Sequence, residues 1–398
     1  MLFLYIDPGT GSLLISLLIG FIMTITFSIR NFYYKVIHFF AGKEYKGTND
    51  FSGELVFFSE GKNYWNVFYP VLDVLIKHNK RFVYLTADRE DPGLQIDSEY
   101  CSSHYLGNTN QAFFVLNKLK AKMCITTTPQ LDILNWKRSK NVDHYCYLSH
   151  APMDIHANKK FSFDYYDSAL CGNDFHIANL RQLERDRNSR KKILMKTGCT
   201  YYDLKNEGAN EQKEHILIAP TWGDRSFFVE HGELLLEKLL EHKHRVLYRP
   251  HPQSWISEKE LLSIISSKFG KNELFEIDKR VDNVHALSKA KVLITDSTSG
   301  IIYDVAFLQK IPIIAVDFEW DDGGYESSDL ENPPSTKYLL EDFGRTITEN
   351  EIYNIHNIIG EVSNVKMTEE IIDKHIFNFQ NAGSVAAKQI LSIFKGLK

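Results

Sequence analysis

The sequence predicts an α/β protein made of two Rossmann-like domains that face each other across a cleft and are preceded by one N-terminal transmembrane helix. Three observations support this fold class. Short apolar runs alternate with amphipathic segments in two parts of the chain, a strongly charged stretch separates those parts, and an uncharged apolar run lies near the N-terminus. The length agrees, because 398 residues exceed what one hydrophobic core normally supports.

The apolar run at residues 11–29 contains no charged side chain and, at about 1.5 Å per residue, nearly spans a ~30 Å hydrocarbon core. Only Asp7 is charged before it, whereas Arg30, Lys35 and two further lysines follow, so the positive-inside rule places the rest of the chain in the cytoplasm. A cleaved signal peptide would need a basic region before the run and a small-residue cleavage site after it. We therefore expect residues 1–50 to be a membrane anchor and linker, and the protein to be a single-pass protein of the cell membrane.

Composition excludes several classes of protein. The formal net charge of −5 provides no basic field for a phosphate backbone, and no nucleic-acid-binding motif is present, so we expect no nucleic-acid partner. The five cysteines stand singly and form no CxxC pair. This pattern favours reduced core thiols over a disulfide framework or a zinc site. We expect neither a metal nor a cofactor.

The first domain is predicted over residues 51–195. Its strands are expected at residues 55–59, 82–86, 123–127 and 145–149, and its helices at 65–78 and 110–120. This alternation is the βαβ pattern of a parallel sheet, whose ligands bind at the carboxyl ends of the strands.

A charged stretch at residues 179–192 and a polar run at 205–214 mark the domain boundary. The second domain is predicted over residues 196–380. Its strands are expected at residues 215–219, 245–248, 292–295 and 313–316, and its helices at 233–242, 258–269 and 300–308. A last helix within 381–398 has one apolar face and is expected to pack back across the domains. Two such domains around a cleft form the architecture called GT-B.

The most informative motif is Asp296-Ser297-Thr298-Ser299-Gly300, which follows an apolar strand and directly precedes a helix. Hydroxyls and unpaired backbone N–H groups at a helix N-terminus favour an anion. An ordinary helix cap needs only one such residue. The motif therefore predicts a phosphate cradle formed by Ser297, Thr298 and Ser299, with the three hydroxyls aimed at one point.

Two further polar loops follow strands of the same domain. Pro250 and Pro252 fix the backbone around His251, so its imidazole and the Arg249 guanidinium are expected to extend from the strand end towards a diphosphate. The loop that begins at Pro220 supplies the Thr221 hydroxyl. Each loop alone could be a structural turn, but three of them at the ends of one sheet indicate a binding site.

In the first domain, His150 follows the last clear strand, with Asp154 and His156 close behind it. At a strand end His150 is expected to face the cleft. A histidine there, with Asp154 nearby, is suited to act as a general base on an acceptor hydroxyl. The alternative is a structural histidine with no part in the reaction.

These motifs resemble, in order and spacing, the CDP-glycerol glycerophosphotransferase family. The resemblance is carried by Thr197-Gly198, Tyr201-Tyr202-Asp203, Thr221-Trp222, Arg249-Pro250-His251-Pro252, and Asp296 to Ser299 with Asp304. It implies a GT-B enzyme at the membrane that transfers glycerol or ribitol phosphate from a CDP-linked donor to a membrane-linked, teichoic-acid-like glycan or polymer, without a tightly bound metal.

The resemblance also implies residue roles. His150 would be the acceptor-side catalytic histidine, His251 a donor-phosphate contact, and Ser297 to Ser299 the pyrophosphate cradle. On this reading His251 and Arg249 stabilise charge on the departing CMP. Two other interpretations fit the same residues, namely a nucleotide-sugar glycosyltransferase and a non-catalytic, membrane-tethered nucleotide-binding scaffold.

Overall fold

The computed structural model describes residues 21, 25, 48–133, 136–204, 213–223, 226–280, 283–317 and 322–397. Apart from residues 21 and 25, the predicted transmembrane helix at 11–29 lies outside this range. Among the described helices, none combines the length and apolar character that a membrane span requires.

The first sheet has seven parallel strands in the spatial order β3-β2-β1-β4-β5-β6-β7. The strands are Asp50–Ser59 (β1), Phe82–Thr86 (β2), Cys101–Tyr105 (β3), Lys120–Thr126 (β4), Val142–Leu148 (β5), Ser168–Cys171 (β6) and Ile193–Lys196 (β7). Their common direction brings the carboxyl ends of β1, β4 and β5 to one edge, where His150 follows β5.

The second sheet has six parallel strands in the order β10-β9-β8-β11-β12-β13. The strands are His215–Ile218 (β8), Arg245–Tyr248 (β9), Phe275–Ile277 (β10), Ala290–Asp296 (β11), Ile313–Asp317 (β12) and Gly344–Thr348 (β13). Because β8, β9 and β11 are neighbours, the polar loops that follow them lie side by side.

Helices cover both faces of each sheet. They are Trp65–Lys77 (α1), Thr109–Leu116 (α2), Asp174–Asp186 (α3), Phe228–Glu241 (α4), Ser254–Ser257 (α5), Lys259–Phe269 (α6), Val284–Lys289 (α7), Ile301–Asp304 (α8), Ser335–Phe343 (α9), Ile355–Val362 (α10), Glu369–His375 (α11) and Ala382–Gly396 (α12), and a π-helical turn, Val305–Gln309, continues α8. Successive strand residues point to opposite faces, so Phe57 and Phe58 belong to different core clusters. Both faces of the strand are buried, which explains its continuous apolar run.

The α/β class with two parallel sheets is confirmed. Five strands were not predicted: Cys101–Tyr105, Ser168–Cys171, Ile193–Lys196, Phe275–Ile277 and Gly344–Thr348. All five are short, and Cys101–Tyr105 (CSSHY) and Gly344–Thr348 (GRTIT) contain too few apolar residues for the pattern of a buried strand. The helix predicted at 110–120 was too long, because it ends at Leu116 and Lys120 already begins β4.

The last helix, α12, packs on the first sheet's side of the molecule. Ala386, Ala387 and Ile390 are fully buried in the cluster that also contains Leu72 of α1. Asp203 holds the start of α12, because its carboxylate accepts hydrogen bonds from the backbone N–H groups of Ala382 and Gly383 at 3.0 and 2.7 Å. The chain thus leaves the second sheet and returns to the first.

Candidate active site

Three loops of the second sheet surround one cavity of about 440 Å³. Thr221 follows β8, Arg249 and His251 follow β9, and Ser299 and Asp304 follow β11. The structure therefore brings together four of the predicted donor-binding residues, Thr221, Arg249, His251 and Ser299. This space is called the donor cavity below.

Asp296, at the end of β11, organises the loop around Thr221. Its side chain is buried and accepts hydrogen bonds from the Thr221 N–H and hydroxyl at 2.5 and 3.0 Å and from the Phe227 N–H at 2.6 Å. Burial raises the pKa of Asp296 to about 6. It does not line the donor cavity, so its place in the structure is that of a positioning residue behind Thr221.

The two basic residues of the β9 loop are held differently. The Arg249 guanidinium donates to the buried carboxylate of Asp278 at 2.6 Å and to the backbone carbonyl of Arg280 at 3.2 Å. His251 is exposed, and its Nδ1 accepts from the Gln253 N–H at 3.1 Å. In the neutral ring Nε2 therefore carries the proton and is a hydrogen-bond donor.

The predicted phosphate cradle is divided between two cavities. Ser299 lines the donor cavity, whereas Ser297 and Thr298 line a different cavity of about 500 Å³. The Ser297 hydroxyl donates to the Asp317 carboxylate at 2.8 Å. The three residues of the predicted cradle thus line two different cavities, and whether each hydroxyl binds the donor stays a prediction.

The larger cavity lies between the two sheets and is called the cleft below. Met153, Asp154 and His156 line it from the first sheet, and Ser297 and Thr298 line it from the second. Asp317, Asp322, Glu331 and Lys337 add charge to its wall. Met153 packs against Gly300, where a Cβ would lie 2.9 Å from its sulfur.

Asp154 connects the two sides of the cleft. One carboxylate oxygen accepts from the ring Nδ1 of His156 at 2.8 Å, and the other accepts from the Ser335 N–H at 2.6 Å. Burial raises the pKa of Asp154, but the hydrogen bond and charge of His156 outweigh burial and lower it. The sequence predicted Asp154 as a catalytic residue, but its contacts are those of a group that positions other residues.

His156 is held between two hydrogen-bond acceptors. Its Nδ1 lies 2.8 Å from the Asp154 carboxylate, and its Nε2 lies 2.7 Å from the backbone carbonyl oxygen of Asn332. Neither partner can donate, so both ring nitrogens donate and the ring is cationic. Burial disfavours this charge, but Asp154 outweighs burial and raises the pKa of His156.

His150 lies at a third cavity, of about 180 Å³, on the first sheet's side. Its Nδ1 lies 3.1 Å from the Tyr147 hydroxyl, and the ring also donates to the backbone of Thr127. The Tyr147 hydroxyl consequently donates to Nδ1, the nitrogen with the basic lone pair. Burial lowers the pKa of His150, although the Thr127 contact opposes this, so the ring is neutral at pH 7.

Sequence reasoning missed Asp278, Asp317 and Tyr147. Asp317 directly follows a predicted strand of the second sheet, so its position at a strand end could have identified it as a candidate site residue. Asp278 follows a three-residue strand that was not predicted, and Tyr147 lies inside a strand. Neither position carries a local signal of a site.

Residues 187–332 match the family described as CDP-Glycerol:Poly(glycerophosphate) glycerophosphotransferase. The match includes all the loops around the donor cavity and the second sheet's side of the cleft up to residue 332. It confirms the predicted resemblance over that segment and indicates a glycerophosphotransferase-like enzyme. No curated protein sequence matches the chain.

Solved structures resemble the chain at low identity. A UDP-GlcNAc 2-epimerase from Methanocaldococcus jannaschii is 13% identical, with 85% of this chain and 99% of that chain covered and a TM-score of 0.54. The Staphylococcus aureus protein MnaA, solved with UDP, is 10% identical, with 87% and 97% covered and a TM-score of 0.54. The wall teichoic acid polymerase TagF is 16% identical, with 92% and 98% covered and a TM-score of 0.47. The first two likenesses show a shared fold.

Proposed function

We propose that this chain transfers glycerol phosphate, or a related alditol phosphate, from a CDP-linked donor to a membrane-linked glycan or polymer of the cell envelope. The observation that carries this proposal is the donor cavity itself. Thr221, Arg249, His251 and Ser299 surround one space, and all of them belong to the segment that matches the glycerophosphotransferase family.

The proposed reaction is a substitution at the β-phosphate of the donor. An acceptor hydroxyl attacks the phosphorus, its O–P bond forms, the bond between that phosphorus and the CMP oxygen breaks, and CMP leaves. The guanidinium of Arg249 and the Nε2–H of His251 stabilise the negative charge on CMP. Asp278 and Gln253 hold these two groups in place before the donor binds.

His150 takes the proton of the attacking hydroxyl. Its ring is neutral at pH 7 because burial lowers its pKa, which keeps the lone pair available. The Tyr147 hydroxyl occupies that lone pair at 3.1 Å, so the acceptor hydroxyl has to replace it.

The acceptor is membrane-linked in this proposal because the enzyme itself is anchored. Residues 11–29 form the anchor, and the basic residues that follow keep the catalytic part in the cytoplasm. An acceptor at the same surface then meets the cleft without leaving the membrane. The apolar run and the charge asymmetry around it support this placement.

The test is an assay of nucleotide release by the full-length protein in detergent. CDP-glycerol and CDP-ribitol are supplied with a glycerol-phosphate-primed lipid acceptor, and UDP-sugars are supplied in parallel. We expect acceptor-dependent release of CMP from a CDP-alditol. Release of UDP from a nucleotide sugar would indicate a glycosyltransferase, and CDP binding without turnover would indicate a scaffold.

A further inference from the structure

The donor cavity and the cleft lie on either side of one short loop, residues 297–300. Ser297 and Thr298 line the cleft, whereas Ser299 and Gly300 line the donor cavity. Thr298 and Ser299 are neighbours in the chain, so their Cα atoms are about 3.8 Å apart. A donor whose CMP half lies in the donor cavity therefore reaches the cleft by extending past one peptide unit.

Asp317 stands beside this loop, at the end of the neighbouring strand β12. The Ser297 N–H donates to the carbonyl oxygen of Val316 at 3.0 Å, which continues the pairing of β11 with β12. The Ser297 hydroxyl donates to the Asp317 carboxylate at 2.8 Å. The sheet backbone thus fixes both residues, and they form a hydroxyl–carboxylate pair in the cleft wall.

This pair presents hydrogen-bond acceptors. Asp317 is exposed, whereas the other residues of β12 are buried. Its bond with Ser297 uses one lone pair of a carboxylate that offers about four. Because the Ser297 proton is used in this bond, the Ser297 oxygen is an acceptor for any further partner. The pair therefore suits a ligand that carries several hydroxyl donors.

The charge of the cleft wall disfavours a phosphate at this position. Among the residues that the structure describes, the charged groups of the wall, apart from the paired Asp154 and His156, are three carboxylates and one ammonium: Asp317, Asp322, Glu331 and Lys337. Like charges repel, whereas a neutral, hydroxyl-rich group meets no such repulsion. The donor cavity differs, because Arg249 and His251 supply basic groups there.

We infer that Asp317 and Ser297 form the subsite for the alditol end of the donor, with the Asp317 carboxylate accepting hydrogen bonds from the alditol hydroxyls. The inference rests on the proposed function. On this assignment the phosphates lie on the donor-cavity side of the loop, at Arg249, His251 and Ser299. The neutral end of the donor crosses the loop into the cleft, so Ser297 contacts the alditol rather than a phosphate.

The experiment is a calorimetric titration of the full-length protein with CDP and, separately, with CDP-glycerol and CDP-ribitol. The ratio of CDP-alditol affinity to CDP affinity isolates the contribution of the alditol, because the ligands share the CDP part. Asp317→Asn removes the charge at nearly constant volume, and Ser297→Ala removes the hydroxyl. Glu349→Gln is the matched control, because Glu349 follows the adjacent strand β13 and lines neither cavity. Ser299→Ala is the control for the phosphates.

We expect Asp317→Asn to lower the affinity for the CDP-alditol about 10-fold, the effect of one lost hydrogen bond to a charged group. CDP affinity should be unchanged or higher, because the loss of a carboxylate removes repulsion from an anion. Ser297→Ala should lower CDP-alditol affinity about threefold and leave CDP affinity unchanged. Ser299→Ala should weaken both ligands alike, and Glu349→Gln should weaken neither.

CDP binding also reports that a variant is folded, and Ser297→Ala keeps the test informative if Asp317→Asn fails to fold. An unchanged affinity ratio in a folded Asp317→Asn or Ser297→Ala protein would overturn the subsite. A higher acceptor KM at unchanged CDP-alditol affinity would also overturn it, because Asp317 would then contact the acceptor. If the wild type binds neither CDP nor a CDP-alditol, the proposed function has failed, and the subsite with it. Wild-type CDP binding therefore separates the two failures.

Discussion

The guanidinium of Arg187, just beyond the end of α3, donates to both carboxylate oxygens of Glu326, a side chain with no exposed surface. Arg187 also pairs with Asp164 at 2.9 Å and with Asp329 at 2.8 Å. Glu326 in turn accepts from the Ser162 N–H at 3.0 Å. The segment after β12 is therefore attached to the first sheet's side of the cleft by a buried ionic network.

The first prediction concerns this network. Glu326→Ala leaves Arg187 partly buried without its main partner, and breaking a buried pair in this way typically costs about 3–5 kcal/mol. We expect a decrease of about 3 kcal/mol in the free energy of unfolding, measured by urea denaturation at pH 7. Lys62→Ala, which breaks an exposed pair with Glu90, is the control and should leave stability unchanged. A loss no larger than that of the control would contradict a structural role for Glu326.

The second prediction is a pH dependence caused by His156 and Asp154. Because the fold raises the pKa of His156, the protonated ring contributes its full stabilisation below about pH 6.5, the usual pKa of histidine. This contribution is lost as the pH rises through the higher pKa of the folded state. Because the fold lowers the pKa of Asp154, its carboxylate contributes to stability above about pH 3.9, the usual pKa of aspartate. This contribution is lost as the pH falls through the lower pKa of the folded state. The pair therefore stabilises the fold most between these limits.

We expect His156→Gln to lower the free energy of unfolding by about 2 kcal/mol at pH 6, the range for a hydrogen bond to a charged group, and by less at pH 8.5. Urea denaturation at the two pH values measures this difference. His78→Gln, at an exposed helix end, is the control. A stability difference that is the same at both pH values would mean that the charge of His156 does not contribute.

Strand-end loops were predictable from the sequence because their signal is local. The apolar run before Arg249 and the polar residues after it are contiguous, and the same holds for Asp296 to Ser299. A parallel sheet then brings such loops to one edge without further information. The donor cavity is therefore the part of the site that the sequence anticipates best.

The contacts that form the cleft could not be predicted from local sequence patterns. The contact of Asp154 with Ser335 joins residues 181 positions apart, so no local sequence pattern could reveal it. Ser297 and Ser299 are two positions apart, yet they line different cavities because the chain turns between them.

The third prediction concerns Ser297 and Ser299, which line different cavities. Ser299→Ala removes a hydroxyl from the donor cavity, and a lost bond to a charged phosphate is worth about 1.5–3 kcal/mol, which is at least a tenfold loss of CDP affinity. Ser297→Ala removes a hydroxyl that donates to Asp317 in the cleft, so CDP affinity should stay near wild type. Calorimetry with CDP compares the two variants directly. A larger loss in Ser297→Ala would mean that the phosphates bind on the cleft side instead.

The last prediction tests His150 as the general base. His150→Ala should lower the transfer rate by about 10²–10⁴-fold, the usual contribution of proton transfer by a positioned side chain. CDP affinity should stay near wild type, because His150 lines the cavity on the first sheet's side and does not line the donor cavity. His251→Ala should instead reduce both transfer and CDP affinity.

The pH profile distinguishes a base from a packing residue. Because burial lowers the pKa of His150, the wild-type transfer rate should be level near pH 7 and fall only as the pH drops through that lowered value, where the ring becomes protonated. His144→Ala, a buried histidine elsewhere in the first sheet, controls for general effects on folding and should keep the wild-type profile. Near-normal turnover in a folded His150→Ala protein would exclude His150 as the base. Asp154 and His156 would then be tested next, although their mutual hydrogen bond at 2.8 Å and their contacts with Ser335 and Asn332 leave them poorly placed to exchange a proton with an acceptor.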